Sequence, residues 1–300
     1  MESHVSRLVL GCMRIEGLDD GSIRSLVDTA LDVGITEFDH ADIYGSTRHA
    51  CERRFGEAAG LTGSRREQVT IQTKVGIREG YYDFSREHVR HSVDESLDAL
   101  RTDHVDVLLL HRPDALADPD DVAETLDGLV TAGKVRAIGV SNHTSGQIEL
   151  LARSLPHPIV ANQMQLGLGH APMITAGLAA NVAGLDQSVD RDGGVLDACR
   201  LRDITVQAWS PFADTHGRIV LGDREHHPEL NDALEEIADA HGVTPTAVAT
   251  AWITTHPARM QVVLGSTRPE RIREAAAGAD LRLTRPEWYR LVAAAGYAIP

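Results

Sequence analysis

Short apolar runs, many of them β-branched, alternate along the chain with longer stretches in which apolar positions recur every three or four residues. The short runs read as strands buried on both faces, and the longer stretches as amphipathic helices laid over them. Eight strands are predicted: Leu8–Cys12, Thr36–His40, Val69–Val75, Val105–His111, Val135–Ser141, Ile159–Asn162, Ile204–Ala208 and Val262–Leu264. After Ser85, a capping residue, Val89, Val93, Leu97 and Leu100 form one apolar stripe. From Asp120, the residues Val122, Leu126, Leu129 and Val130 share a side before Gly133, a helix stop.

Eight such repeats, with no linker or shift of composition between them, predict an α/β fold: one (β/α)8 TIM barrel spanning residues 1–300. Extra helices are expected near Thr244–His256 and Arg285–Ala295, and a long loop after the sixth strand from about Met164 to Gly194. No G-x-G-x-x-G follows any strand, so a Rossmann sheet is not indicated and any dinucleotide must be held another way.

The formal net charge is -15 and no run of Lys or Arg forms a basic patch, which argues against nucleic acid or an anionic membrane surface as partner. Cys12, Cys51 and Cys199 are too few and too scattered for a disulfide framework, and the N-terminal residues lack the basic and apolar regions of a signal peptide. A soluble, cytoplasmic protein is expected, monomeric by default. Among 29 Lys and Arg only Lys74 and Lys134 are lysine. A lysine kept in so arginine-rich a chain marks a place where a compact ammonium is wanted, unless its retention is chance.

In such a barrel the chemistry sits at the C-terminal ends of the strands. Strand two ends Phe38-Asp39-His40-Ala41-Asp42-Ile43-Tyr44-Gly45, strand three Gln72-Thr73-Lys74 and strand four Leu108-Leu109-Leu110-His111, so Asp39, Tyr44, Lys74 and His111 share one rim. Reducing a carbonyl by hydride needs a proton for the forming alkoxide, and a free tyrosine, with a pKa of about 10, gives one up reluctantly. An ammonium from Lys74 is expected to lower that value, Asp39 to orient the ammonium, and His111 to donate to the carbonyl oxygen. Singly, each has an ordinary explanation: a cap, a core ring, a surface ion pair, a structural imidazole. Four at successive strand ends point to catalysis.

In order and spacing, Asp39, Tyr44, Lys74 and His111 resemble the catalytic tetrad of the aldo-keto reductase superfamily. The segments Gly11-Cys12-Met13-Arg14, Leu110-His111-Arg112-Pro113-Asp114, Gly139-Val140-Ser141-Asn142-His143 and Gln207-Ala208-Trp209-Ser210-Pro211-Phe212 extend the likeness and look like those of a bacterial subgroup of that family. The resemblance implies a nicotinamide whose carboxamide is held by Ser141, Asn142 and Gln163, stacked on Trp209 and bordered by Ser210. It also implies a phosphate segment at Gly265, Ser266, Thr267 and Arg271. A helix starting near Pro269 aims N–H groups at such an anion. NADPH is expected ahead of NADH, although many family members carry a lysine where this chain has Gly265; Arg268 is a candidate replacement.

The function implied is reduction of an aldehyde or ketone to an alcohol. Two rivals are an NADPH-binding redox-sensing or regulatory subunit with little turnover, and a barrel enzyme acting on a sugar phosphate. The pocket for a small-molecule carbonyl substrate is expected from Met13, Tyr81-Tyr82-Asp83-Phe84, the Met164–Gly194 segment and Phe212. Cys12 is placed near the substrate without a base to activate it. His88, His91, His226 and His227 read as surface residues, and no metal is expected.

Overall fold

The computed structural model describes residues 6–300. Eight parallel strands close into a barrel in the order β1-β8-β7-β6-β5-β4-β3-β2. They are β1 Leu8–Gly11, β2 Glu37–Asp39, β3 Thr70–Val75, β4 Val105–Leu110, β5 Val135–Ser141, β6 Ile159–Gln165, β7 Thr205–Trp209 and β8 Gln261–Leu264. Every predicted strand is present, with ends moved by up to three residues. The largest change is β6, which runs on to Gln165 because Met164 and Gln165 pair with Ala208 and Trp209.

Helices follow the strands and cover the barrel. Helix Arg86–Leu100 is capped by Ser85, whose hydroxyl accepts from His88 N, and buries Val89, Val93, Leu97 and Leu100. The next helix, Pro119–Thr131, starts before Asp120, because Asp118 is the cap and Pro119 its first residue. Pro245–Thr255 and Arg285–Ala294 are the two extra helices. The segment after β6 is more than a loop: it contains helix Pro172–Leu178 and a turn of 3₁₀ helix at Asp186–Ser188. A hairpin, Ile77–Arg78 with Tyr81–Tyr82, was not foreseen.

The apolar core lies between strands and helices, where Phe38, Ile71, Leu108, Leu110, Val206 and Val262 meet the helical faces. The alternate strand positions face the barrel axis, and there the lining is polar: Glu37, Asp39, Gln72, Lys74, Gln163, Gln207 and Gln261 are all buried. Gly139 belongs to this inner set, and a Cβ there would stand 2.4 Å from the side chain of Leu109 and 2.9 Å from the carbonyl oxygen of Ala161. The barrel is therefore narrow, and its polar side chains are close enough to bond across it.

Candidate active site

Tyr44 reaches its place through a short, well-anchored segment. Beyond β2 the chain keeps pairing with β3, through His40 N to Gln72 O at 2.8 Å and Asp42 N to Lys74 O at 3.0 Å. The Asp42 carboxylate accepts from Arg48 at 2.6 Å and from Ser92 at 2.7 Å, fixing the segment to helix Arg86–Leu100. Gly45 follows with φ +109, and a Cβ there would stand 2.6 Å from that of Ala50, so the turn after the tyrosine needs glycine.

Lys74 is wholly buried and its three donors are all engaged: with Asp39 Oδ2 at 2.6 Å, His40 O at 2.8 Å and Tyr44 Oη at 3.0 Å. Burial works against its charge, but Asp39 and then Tyr44 overcome this, and its pKa lies above the ordinary lysine value. Tyr44 departs from expectation. Burial pushes its pKa upward and Asp39 adds to this; Lys74 pulls the other way without prevailing. The phenol is thus a protonated donor through the neutral range.

His111 stands edge-on to Tyr44, ring centroids 6.0 Å apart. Burial, reinforced by Lys74 and Arg112, drives its pKa down to about 2, so the ring is neutral; its Nδ1 is enclosed without a partner. His40 is pushed to about 3 by burial and by Lys74.

Asp39, Tyr44 and His111 open on a cleft of about 760 Å³. Trp209 lines it, its indole fixed by donation to Asn142 Oδ1 at 3.0 Å, and Asn142 Nδ2 donates to Ser141 Oγ at 2.8 Å. Gln163 commits Nε2 to Asp39 and Gln207, so any bond it makes into the cleft is through Oε1 as acceptor. Asn142 and Ser210 hold φ of +59 and +48, left-handed backbone that costs about 1–3 kcal/mol and clusters at functional sites. Gly265, Ser266 and Arg271 also line the cleft, beside the uncapped N-terminus of helix Pro269–Ala277.

Several expected residues stand elsewhere. Thr267 and Arg268 are absent from the cleft lining; the cation beside Gly265 is Arg14, donating to its carbonyl at 2.8 Å. Arg14 belonged to a recognised segment, but only the fold shows that it crosses to β8. Cys12 is buried with its thiol toward Leu10 O, its pKa driven up by burial, and is not at the cleft. Neither Tyr81–Phe84 nor the segment after β6 supplies the wall. Phe212, Ala213, Ile219 and Leu221 do, joined by Met13, Ile43 and Arg112. His88 is buried against Arg78 rather than superficial. Among the described residues no group of three or more His, Cys, Asp or Glu side chains is arranged to hold a metal, and no helix is long and apolar enough to cross a membrane.

The Aldo/keto reductase family matches residues 7–295. The chain belongs to that family. It is 36% identical to the oxidoreductase YcsN of Bacillus subtilis over 98% of this chain and 96% of that one. Oxidoreductase YdhF of Escherichia coli is also 36% identical, over 98% and 95%, and a 6-dehydroglucose reductase of Novosphingobium aromaticivorans is 35% identical, over 99% and 94%. A thermostable aldo-keto reductase, Tm1743, solved with the inhibitor epalrestat, superposes with a TM-score of 0.77 at 26% identity, covering 97% of this chain and 95% of that one. Aldo/keto reductases are oxidoreductases that work with a nicotinamide cofactor. The cleft suits one: its lining holds an indole with the amide and hydroxyl side chains of Ser141, Asn142, Gln163 and Ser210, and Arg14 and Arg271 beside a helix N-terminus.

Proposed function

We propose that this aldo/keto reductase reduces an aldehyde or ketone to the alcohol with NADPH, Tyr44 supplying the proton. The observation that carries this reading is the contact chain Asp39–Lys74–Tyr44, 2.6 Å and 3.0 Å, ending in a protonated phenol at the cleft. When bound, the reduced nicotinamide supplies the hydride that adds to the carbonyl carbon.

The carbonyl oxygen, gaining charge, takes the proton from Tyr44 Oη, and the O–H bond of the phenol breaks as that of the alcohol forms. The phenolate left behind is held by the Lys74 ammonium until it regains a proton from water. Asp39 keeps the ammonium charged and aimed. His111, neutral, presents an N–H to the same oxygen and sets its angle. Ser141, Asn142, Gln163, Trp209 and Ser210 would border the nicotinamide, and Ser266 and Arg271 with Arg14 the phosphates. Two guanidiniums at that end support NADPH over NADH.

The substrate end combines apolar walls with the guanidinium of Arg112. Small carbonyl compounds bearing hydroxyl or anionic groups fit it, in keeping with relatives named 6-dehydroglucose reductase. The test is a panel of neutral, hydroxylated and anionic aldehydes and ketones followed by NADPH absorbance, with NADH in parallel. NADPH consumption across the panel is expected. Tight NADPH binding with no consumption would replace this reading with a sensing or regulatory one.

A further inference from the structure

Beneath the cleft, the barrel interior holds a chain of hydrogen bonds that the reaction above leaves unused. Glu37 precedes Asp39 by two residues on β2 and shares its inward face. Its Oε1 accepts from Gln207 Nε2 and its Oε2 from Gln261 Nε2, each at 2.8 Å. Gln207 Nε2 also donates to Gln261 Oε1 at 2.9 Å, so both its protons are committed on this side. The Gln207 amide is thereby turned with its oxygen toward β3 and β6, where it accepts from Gln72 Nε2 at 2.9 Å and Gln163 Nε2 at 3.1 Å.

Those two nitrogens give their remaining protons to a single atom, Asp39 Oδ1, at 2.6 Å and 3.0 Å. The other Asp39 oxygen holds Lys74. Gln72 Oε1 is enclosed without a partner. Turning that amide over would aim its oxygen at the Asp39 carboxylate. The structure thus leaves one buried acceptor unmet and keeps two N–H donors on Asp39, which is the pattern of a site arranged for position rather than for stability alone.

We propose that Glu37 and Gln207 are positioning residues for the proton donor: the Glu37 carboxylate orients Gln207, Gln207 orients Gln72 and Gln163, and these hold Asp39, Lys74 and Tyr44 in line. The proposal rests on Tyr44 being the acid, so its test includes a readout that needs no turnover. Tyr44 is titrated by phenolate absorbance, as the difference between a protein and its Tyr44→Phe counterpart, in wild type, Glu37→Gln and Gln207→Met. Glu37→Gln is isosteric and guards against a Gln207→Met variant that does not fold; unfolding midpoints are recorded for both.

In the folded variants the Tyr44 titration is expected to move by about half a unit or more, since the ammonium beside it is displaced. With the carbonyl substrate, kcat is expected to fall about tenfold while KM for NADPH stays within about twofold. In an Asp39→Asn background the further substitution should change kcat by less than about twofold, because the route to Tyr44 is already cut. An unmoved titration with unchanged kcat overturns the proposal, as does an equal loss in the Asp39→Asn background. A titration that moves in a wild-type protein lacking any carbonyl turnover supports the positioning role and overturns the reductase reading instead.

Discussion

Lys74→Met removes the ammonium while keeping most of the volume of the side chain. The Asp39 carboxylate is then left buried with amide donors but no cation, and His40 O and Tyr44 Oη lose their donor. Breaking a buried ion pair from one side costs about 3–5 kcal/mol, mostly the penalty of the abandoned charge. For a chain of 300 residues the unfolding entropy near the midpoint is roughly 0.6 kcal/mol per kelvin, so the transition should fall by about 5–8 °C. Adding Asp39→Asn removes the stranded charge, and the new amide oxygen can still accept from Gln72 and Gln163. The double variant should therefore recover more than half of the loss, yet both variants should lack carbonyl reduction. Paired thermal and urea unfolding with NADPH-oxidation assays reads both effects. A single variant within about 1 kcal/mol of wild type, or a double variant no more stable than the single, would refute the reasoning that this pair is dry and mutually dependent.

Because His111 is held neutral, with its pKa at about 2, and Tyr44 lies above its ordinary value, the reduction rate of Glu37→Gln, which lacks the carboxyl held at about 7, should stay within about threefold from roughly pH 5 to pH 8. A fall centred near pH 6.5, the ordinary histidine value, that vanishes in His111→Gln would contradict a neutral imidazole. Burial raises Glu37 from 4.5 to about 7, so the folded protein binds a proton there that the unfolded chain has lost. Its stabilising contribution is full below about pH 4.5, declines as pH rises to about 7, and totals about 3 kcal/mol. Wild type minus Glu37→Gln, measured by urea unfolding at pH 5 and pH 8, should show that decline, and a difference independent of pH would contradict it. Arg14→Ala and Arg271→Ala should each raise KM for NADPH by about tenfold with little change for NADH, the loss of one charge-assisted contact. Equal losses for both cofactors would place the 2′-phosphate elsewhere.

The barrel was legible because each strand presents apolar residues to the helices, as Phe38, Ile71, Leu108 and Val206 do, and those residues dominate the short runs. The inward face was not: Glu37, Gln72, Gln207 and Gln261 look like interruptions until closure of the barrel brings them within bonding distance. Asp39, Tyr44, Lys74 and His111 could be named because strand ends are fixed by the fold itself. The direction of the Tyr44 pKa could not, since burial outweighs Lys74 only once the whole site is enclosed. Met13 and Phe212 were placed at the cleft, but the rest of its wall was misassigned for a similar reason. Residues 211–222 are folded inward by Asp214, which accepts from the backbone of His216 and Arg218, and by Asn231, which binds Val220 O and Gly222 N. The Asn231 bonds join the loop to a helix beyond it, and no local pattern announces them.

In the proposed reaction Tyr44 protonates a carbonyl oxygen beside bound NADPH. This step is tested most directly by Tyr44→Phe, with NADPH affinity from Trp209 fluorescence quenching and turnover on the best substrate of the panel. Unchanged affinity and a loss of roughly 10²–10⁴-fold in kcat are expected, the range supplied by a positioned general acid. Wild-type turnover in that variant would contradict it.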